Sequence, residues 1–201
     1  LGHKLFYLKI WSDNNQKSSF ETWKQNIVPI DVLRLTDNVI SKMLDKIKVN
    51  KSTIGLLGYS SAFDTIIKYL DNYGPDIIES NISSVISTSE TLNPQTRSAM
   101  SKYFQIPVVS RYSNLENGII AQQCFLSNEF HINAASYLVE ILDIDKDIPV
   151  EAGKLGRIVL TDYFNFAMPL IRYDTGDLGS FAENSECNIR TPVLTKIEGR
   201  K

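Results

Sequence analysis

The sequence predicts an α/β fold. A parallel sheet flanked by helices in β-α-β units occupies residues 1–115, and a smaller antiparallel, barrel-like β subdomain occupies residues 116–201. Three observations carry this. Ile54-Gly55-Leu56-Leu57-Gly58 is a short, fully apolar run, as a buried parallel strand requires. Amphipathic helical stripes alternate with such runs, joined by short links that favour right-handed crossovers. Beyond about residue 115 the helical stripe gives way to β-rich runs punctuated by Pro149, Gly153, Gly156, Gly176 and Gly179.

In chain order, Lys4 to Ile10 is a β-rich run. Ser18 to Asn26 is expected to form a short helix whose inner face carries Phe20, Trp23 and Ile27. Val39, Ile40, Met43, Leu44 and Ile47 form a helical stripe behind Thr36, a candidate N-cap. After the apolar strand, Ser60 or Ser61 is expected to cap a helix with Phe63, Ile66, Ile67 and Leu70 inside, ending at Asn72-Tyr73-Gly74-Pro75. Val85-Ile86 centres the next strand. Asn93 caps a helix that has Pro94 at its first position and Ala99, Met100, Tyr103 and Phe104 inside. Pro107-Val108-Val109 opens a third strand. In the second half, Tyr137 to Leu142, Arg157 to Thr161, Leu170 to Tyr173 and Val193 to Ile197 read as strands.

Composition narrows the function. The 201 residues carry 21 Lys+Arg against 23 Asp+Glu, a net charge of −2, so no basic stripe points to nucleic acid as a partner. With 43% hydrophobic and 22% charged residues the chain can bury a core of its own. No apolar run approaches the roughly 20 residues of a membrane span. The two cysteines, Cys124 and Cys187, make no disulfide framework, so free thiols and a cytoplasmic location are expected. The abrupt termini suggest a piece of a longer chain.

In an open α/β sheet, ligands lie beyond the carboxyl ends of the strands. There the sequence crowds polar groups: Thr88-Ser89-Glu90, Tyr112-Ser113-Asn114-Leu115-Glu116, and Arg172-Tyr173-Asp174-Thr175-Gly176-Asp177. No G-x-x-x-x-G-K phosphate loop, G-x-G-x-x-G fingerprint or nucleophile elbow is present.

The longest motif reads A-M-P-L-I-R-Y-D-T-G-D-L from Ala167 to Leu178. With Thr88-Ser89-Glu90-Thr91-Leu92, Tyr112 to Glu116, Gly156 to Thr161 and Gly199-Arg200, in that order, it resembles the adenylate-forming (acyl-adenylate) enzymes. The likeness is strongest to the branch of phenylacetate–coenzyme A ligases and capsular-polysaccharide-biosynthesis homologues. It implies a two-step reaction. A carboxylic acid and ATP give an acyl-adenylate and pyrophosphate, and the acyl group then passes to coenzyme A or another acceptor.

The resemblance also implies site roles. Asp177 binds the ribose hydroxyls of ATP or AMP. Glu116 is the catalytic Mg²⁺ ligand. Tyr112 stacks on adenine, with Ser89 and Glu90 along its edge. Arg172 and Arg200 face ribose or phosphate, although Arg172 reads equally as an ion-pair partner of Asp174 or Glu116. Ser113 and Leu115 depart from the family's Y-G-x-T-E, and leucine cannot donate to phosphate. This favours the alternative of a diverged, non-catalytic homologue that binds a nucleotide or a partner. A generic flavodoxin-like module leaves the match from Ala167 to Leu178 unexplained. The resemblance also offers a structural zinc at Cys124, His131 and Cys187, but the set is one ligand short because Ser185 replaces a cysteine, and packed free thiols are the expected state. The family's phosphate loop would precede Leu1, and its hinge and mobile C-terminal domain, with the adenylation lysine, would follow Arg200. The 201 residues alone are expected to be inactive and to self-associate.

Overall fold

The computed structural model describes residues 2–12, 15–185, 187 and 191–199. Contacts divide the chain into two compact units, Leu1–Ser110 and Arg111–Lys201.

The first unit contains β1 (Lys4–Lys9), α1 (Ser19–Lys24), β2 (Ile27–Asp31), α2 (Asp37–Lys48), β3 (Ile54–Gly58), α3 (Ser60–Tyr73), β4 (Ile82–Thr88), α4 (Pro94–Phe104) and the start of β5 (Val108–Asn114). Its strands lie in the order β2-β1-β3-β4-β5. The β1–β2, β1–β3 and β3–β4 ladders are parallel. Every residue of β3 is buried, as its unbroken apolar run requires. Ile40, Met43, Leu44 and Ile47 of α2 enter one core with Phe63, Ile66 and Leu70 of α3 and Met100, Tyr103 and Phe104 of α4. Each such side chain stabilises the fold by roughly 1.5–3 kcal/mol. Thr96 hydroxyl donates to Asp64 and Tyr103 hydroxyl to Asp71, which clasps α4 to α3.

Several local expectations need correction. Helix α1 forms on a capping box between Ser18 and Glu21, but it buries nothing. Phe20 and Trp23 are 68% and 76% exposed and tilt against each other, because a helix of under two turns has too little face to reach the sheet. Thr36 sits at the N-cap of α2 without a side-chain capping bond. The N-cap of α3 is Tyr59, not Ser60 or Ser61. On α4, Thr96 is fully buried while Ala99 is only half-buried.

The second unit continues β5 and adds β6 (Gly118–Gln123), β7 (Phe130–Ile132), β8 (Tyr137–Leu142), β9 (Gly156–Asp162), β10 (Tyr173–Phe181) and β11 (Val193–Glu198). The order is β5-β6-β7-β11-β10-β9-β8, with antiparallel ladders from β5 through to β8. Among the described residues β8 ends the strand order, and the 148–150 segment folds back on it through a Leu142–Pro149 bridge and a Val150 N–H to Ile141 bond. Its core gathers Tyr112, Ile120, Tyr137, Ile141, Ile158, Leu160 and Leu194. Leu170 and Ile171 are not strand as expected. The backbone closes a loop there, with Asp162 N–H bonding Leu170 and Arg172 N–H bonding the Thr161 hydroxyl.

Candidate functional site

The most ordered polar constellation lies in the second unit, where β10 leaves its ladder. Asp174 pairs with Val159 and Leu178 with Arg157, so Thr175, Gly176 and Asp177 stand opposite Ile158 alone. Such a bulge re-aims side chains. Gly176 takes the left-handed φ of +79° that the turn needs. Thr175 is buried, donates its hydroxyl to Ile158 O at 2.9 Å and accepts from Asp177 N at 3.2 Å. Asp174 Oδ1 accepts from Gly176 N at 2.9 Å. Half-buried Asp177 is thereby turned to Tyr112, whose hydroxyl lies 2.8 Å from Asp177 Oδ2 and 3.2 Å from Thr175 Oγ1. Tyr112 sits beside a second bulge, whose extra residue is Ile120 of β6. Burial above all, then the Asp177 carboxylate, pushes its phenol well up from its ordinary value, so it stays protonated.

Arg157 braces the turn. Its guanidinium bonds Asp174 Oδ2 and Asp147 Oδ1, each at 2.7 Å, and the carbonyls of Asp143 and Lys146 at 2.9 and 3.2 Å. Sequence reasoning missed this residue. The signal was an arginine where the resembled strand motif has glutamate, close to the acidic Asp143, Asp145 and Asp147. Arg172 pairs with neither Asp174 nor Glu116. Its fork rests on Glu140 at 3.2 and 3.3 Å, and its backbone takes φ +50°. Glu116 is exposed in the β5–β6 hairpin turn and has no ion-pair or hydrogen-bond partner among the described residues. Its neighbour Leu115 is 102% exposed. One free carboxylate suits Mg²⁺, which is commonly bound through one or two carboxylates plus substrate phosphates. Arg200 lies outside the described residues.

Ser89 and Glu90 belong to the first unit. Ser89 follows the end of β4 with φ +66°. This turn carries Glu90 to the N-terminus of α3, where its carboxylate accepts from Ser61 N at 2.7 Å and Ser61 Oγ at 3.0 Å. A carboxylate there satisfies an otherwise free N–H and complements the helix dipole. Glu90→Ala is expected to cost about 1 kcal/mol, or some 2–4 °C of melting temperature. An unshifted melt would remove this role.

Cys124, His131 and Cys187 come together, with one ligand atom from each lying within 4.8 Å of the others. Both thiols are free, with their sulfurs 3.3 Å apart. Cys124 is drawn down to about 6, first by the Leu126 N–H donating to its sulfur, then by the His131 imidazole. His131 Nδ1 bonds Thr191 Oγ1 at 3.1 Å, while its Nε2 is buried with no hydrogen-bond partner of ordinary geometry. Two thiols and an imidazole nitrogen supply three of the four donors that a structural zinc takes. Ser185 Oγ donates to the buried Glu129 carboxylate at 2.8 Å and accepts from Cys187 N at 3.1 Å.

Known proteins share this architecture. The chain superposes on 2-hydroxyisobutyryl-CoA ligase in complex with 2-HIB-AMP and CoA with a TM-score of 0.75 at 14% identity, covering 98% of this chain and 45% of that one. It superposes on apo MatB from Rhodopseudomonas palustris with a TM-score of 0.61 at 16% identity, covering 96% and 40%. The fold is the one these ligases contain. In sequence, 48 residues are 46% identical to a phenylacetate-coenzyme A ligase of Thermus thermophilus, which is 24% of this chain and 11% of that protein. No family model matches the sequence. The chain thus spans less than half the length of the solved ligases. Among the described residues no helix is long and apolar enough to cross a membrane.

Proposed function

We infer that these residues form the nucleotide side of the large domain of an ATP-dependent acyl-adenylating ligase. A carboxylate oxygen bonds the α-phosphorus of ATP as the bond to pyrophosphate breaks, and the acyl group then passes to coenzyme A or another acceptor. One observation carries this most: a Thr175-Gly176-Asp177 bulge that presents a braced carboxylate, on a fold shared with acyl-CoA ligases. Asp177 accepts from the two ribose hydroxyls. Glu116 would hold Mg²⁺, which neutralises charge building on the phosphates. Tyr112, Ser89 and Glu90 belong to the adenine side of this reading. Arg172 reaches a ligand only by leaving Glu140.

A setting in capsular-polysaccharide biosynthesis rests on the sequence resemblance alone, and a cytoplasmic location follows from ATP and coenzyme A as reactants. The 201 residues alone contain no phosphate loop, so the reaction is expected only from a longer chain that supplies one. ATP–pyrophosphate exchange across a panel of carboxylic acids tests the reading in such a chain. Absence of exchange with every acid would favour the second reading, a non-catalytic nucleotide-binding homologue. That reading draws support from Leu115, fully exposed where the resemblance places a phosphate-touching threonine.

The same proposal extends to a structural zinc on Cys124, His131 and Cys187, with thiolates and imidazole as ligands. Protein purified without chelator is expected to carry one equivalent of zinc per chain, and Cys187→Ala to lose it. Metal-free wild type with two titratable thiols would overturn the assignment.

A further inference from the structure

We propose that Tyr112 is a positioning residue for ribose selection. Its hydroxyl holds the Asp177 carboxylate in the orientation that grips two adjacent hydroxyls, so it acts through Asp177. The proposal rests on the ribose reading of Asp177.

A count of donors leads to it. The Tyr112 hydroxyl has one proton and two oxygens in reach, Asp177 Oδ2 at 2.8 Å and Thr175 Oγ1 at 3.2 Å. Thr175 gives its own proton to Ile158 O at 2.9 Å and cannot donate back to the phenol. An ionised carboxylate only accepts, so the tyrosine proton goes to Asp177 in the shorter, charge-assisted bond. Among the described residues Oδ1 has no partner, and Oδ2 keeps a second acceptor direction. Two donors from a vicinal diol can then be met at once.

Rigidity is what the phenol adds. The Asp177 backbone N–H is already tied to Thr175 Oγ1 at 3.2 Å, but that bond leaves rotation about the aspartate side chain free. Tyr112 is 9% exposed and packed with Ile120 and Ile132 in the second core, so its hydroxyl is a fixed point. A carboxylate fixed at one oxygen meets a diol without first being ordered, and pre-ordering of this kind raises affinity. A ligand with one hydroxyl gains little from it, so the phenol should matter most for the ribose-to-deoxyribose difference.

The test measures dissociation constants of AMP, 2′-deoxy-AMP and 3′-deoxy-AMP by ligand-observed NMR on wild type, Tyr112→Phe and Asp177→Asn. Wild type is expected to prefer AMP, and Asp177→Asn to lose that preference. Tyr112→Phe should cut that preference about tenfold. A purely structural role would shift the melting temperature and leave the preference intact. Tyr112→Phe with full preference, beside Asp177→Asn without it, overturns the proposal and leaves the ribose reading standing. Preference surviving in both variants, or no nucleotide binding by wild type, overturns both. Should Tyr112→Phe fail to fold, 4-fluorophenylalanine at position 112 keeps a small para substituent but cannot donate. The preference should then fall as for Tyr112→Phe, and an intact preference would count against the proposal.

Discussion

Asp177→Ala is expected to carry AMP binding by this chain beyond detection. Half-buried Asp177 is presented on a bulge and, among the described residues, accepts one side-chain bond, from Tyr112 at 2.8 Å, so acceptor capacity remains for a diol. Two charge-assisted hydrogen bonds contribute together about 3 kcal/mol, which corresponds to about a hundredfold in affinity. One wall of a nucleotide site should start near millimolar. The fold should survive the change, because the phenol that loses the carboxylate still has Thr175 Oγ1 at 3.2 Å as an acceptor. Thermal melting checks the fold, and titration with AMP checks the site. A folded Asp177→Ala chain that binds AMP as wild type does would end the ribose assignment.

The largest effect on stability is expected at Gly156. A Cβ there would stand 2.2 Å from the Leu142 carbonyl oxygen, 2.9 Å from Ile141 Cγ2 and 3.0 Å from the Leu142 carbonyl carbon. Two of these atoms are backbone of the neighbouring strand, which cannot swing aside like a side-chain end. Gly156 opens β9, beside the Leu142–Arg157 pair and opposite Gly179 of β10. Relief therefore means parting β8 from β9. Gly156→Ala should cost about 3 kcal/mol, or about 10 °C in the melt of a chain this size. Gly2→Ala, where a Cβ meets nothing within 4 Å, is the control expected to be silent. Equal melts for the two variants would show that the β8–β9 edge yields more easily than its pairing suggests.

What could be read from the sequence was what repeats locally. The apolar run of β3 and the stripes of α2, α3 and α4 obey fixed periods, so these elements and most of their buried residues were legible. The same rule misread α1, where Phe20 and Trp23 keep helical spacing but lie on a helix too short to use it. The cap of α3 comes from Glu90, 29 residues beyond Ser61, and no local signal reports a partner at that distance. In the candidate site, Asp177 was legible because Thr175-Gly176-Asp177 closes a long motif. Its bond to Tyr112 was not, because 65 residues separate the two. Cys124 and Cys187, 63 residues apart, could be matched only through resemblance. Arg172 shows the remaining limit: its charge was evident, but the choice of Glu140 over Asp174 depends on Arg157 already occupying Asp174.

The two bulges differ in parity. Between Tyr112 and Ser113 the ladder skips Ile120, a single extra residue. One extra residue inverts the alternation, and so Ile120 and Ala121, adjacent in sequence, are both buried. On β10 the excess is two, because three residues face Ile158 alone, and an even excess leaves the pleat in phase on both sides. Asp174 and Leu178 therefore point to the same face. The pleat thus fixes the number of residues between them, as the φ of +79° fixes the glycine at 176. Removing one would turn Leu178 to Phe181 over, exchanging inside for outside along the rest of β10.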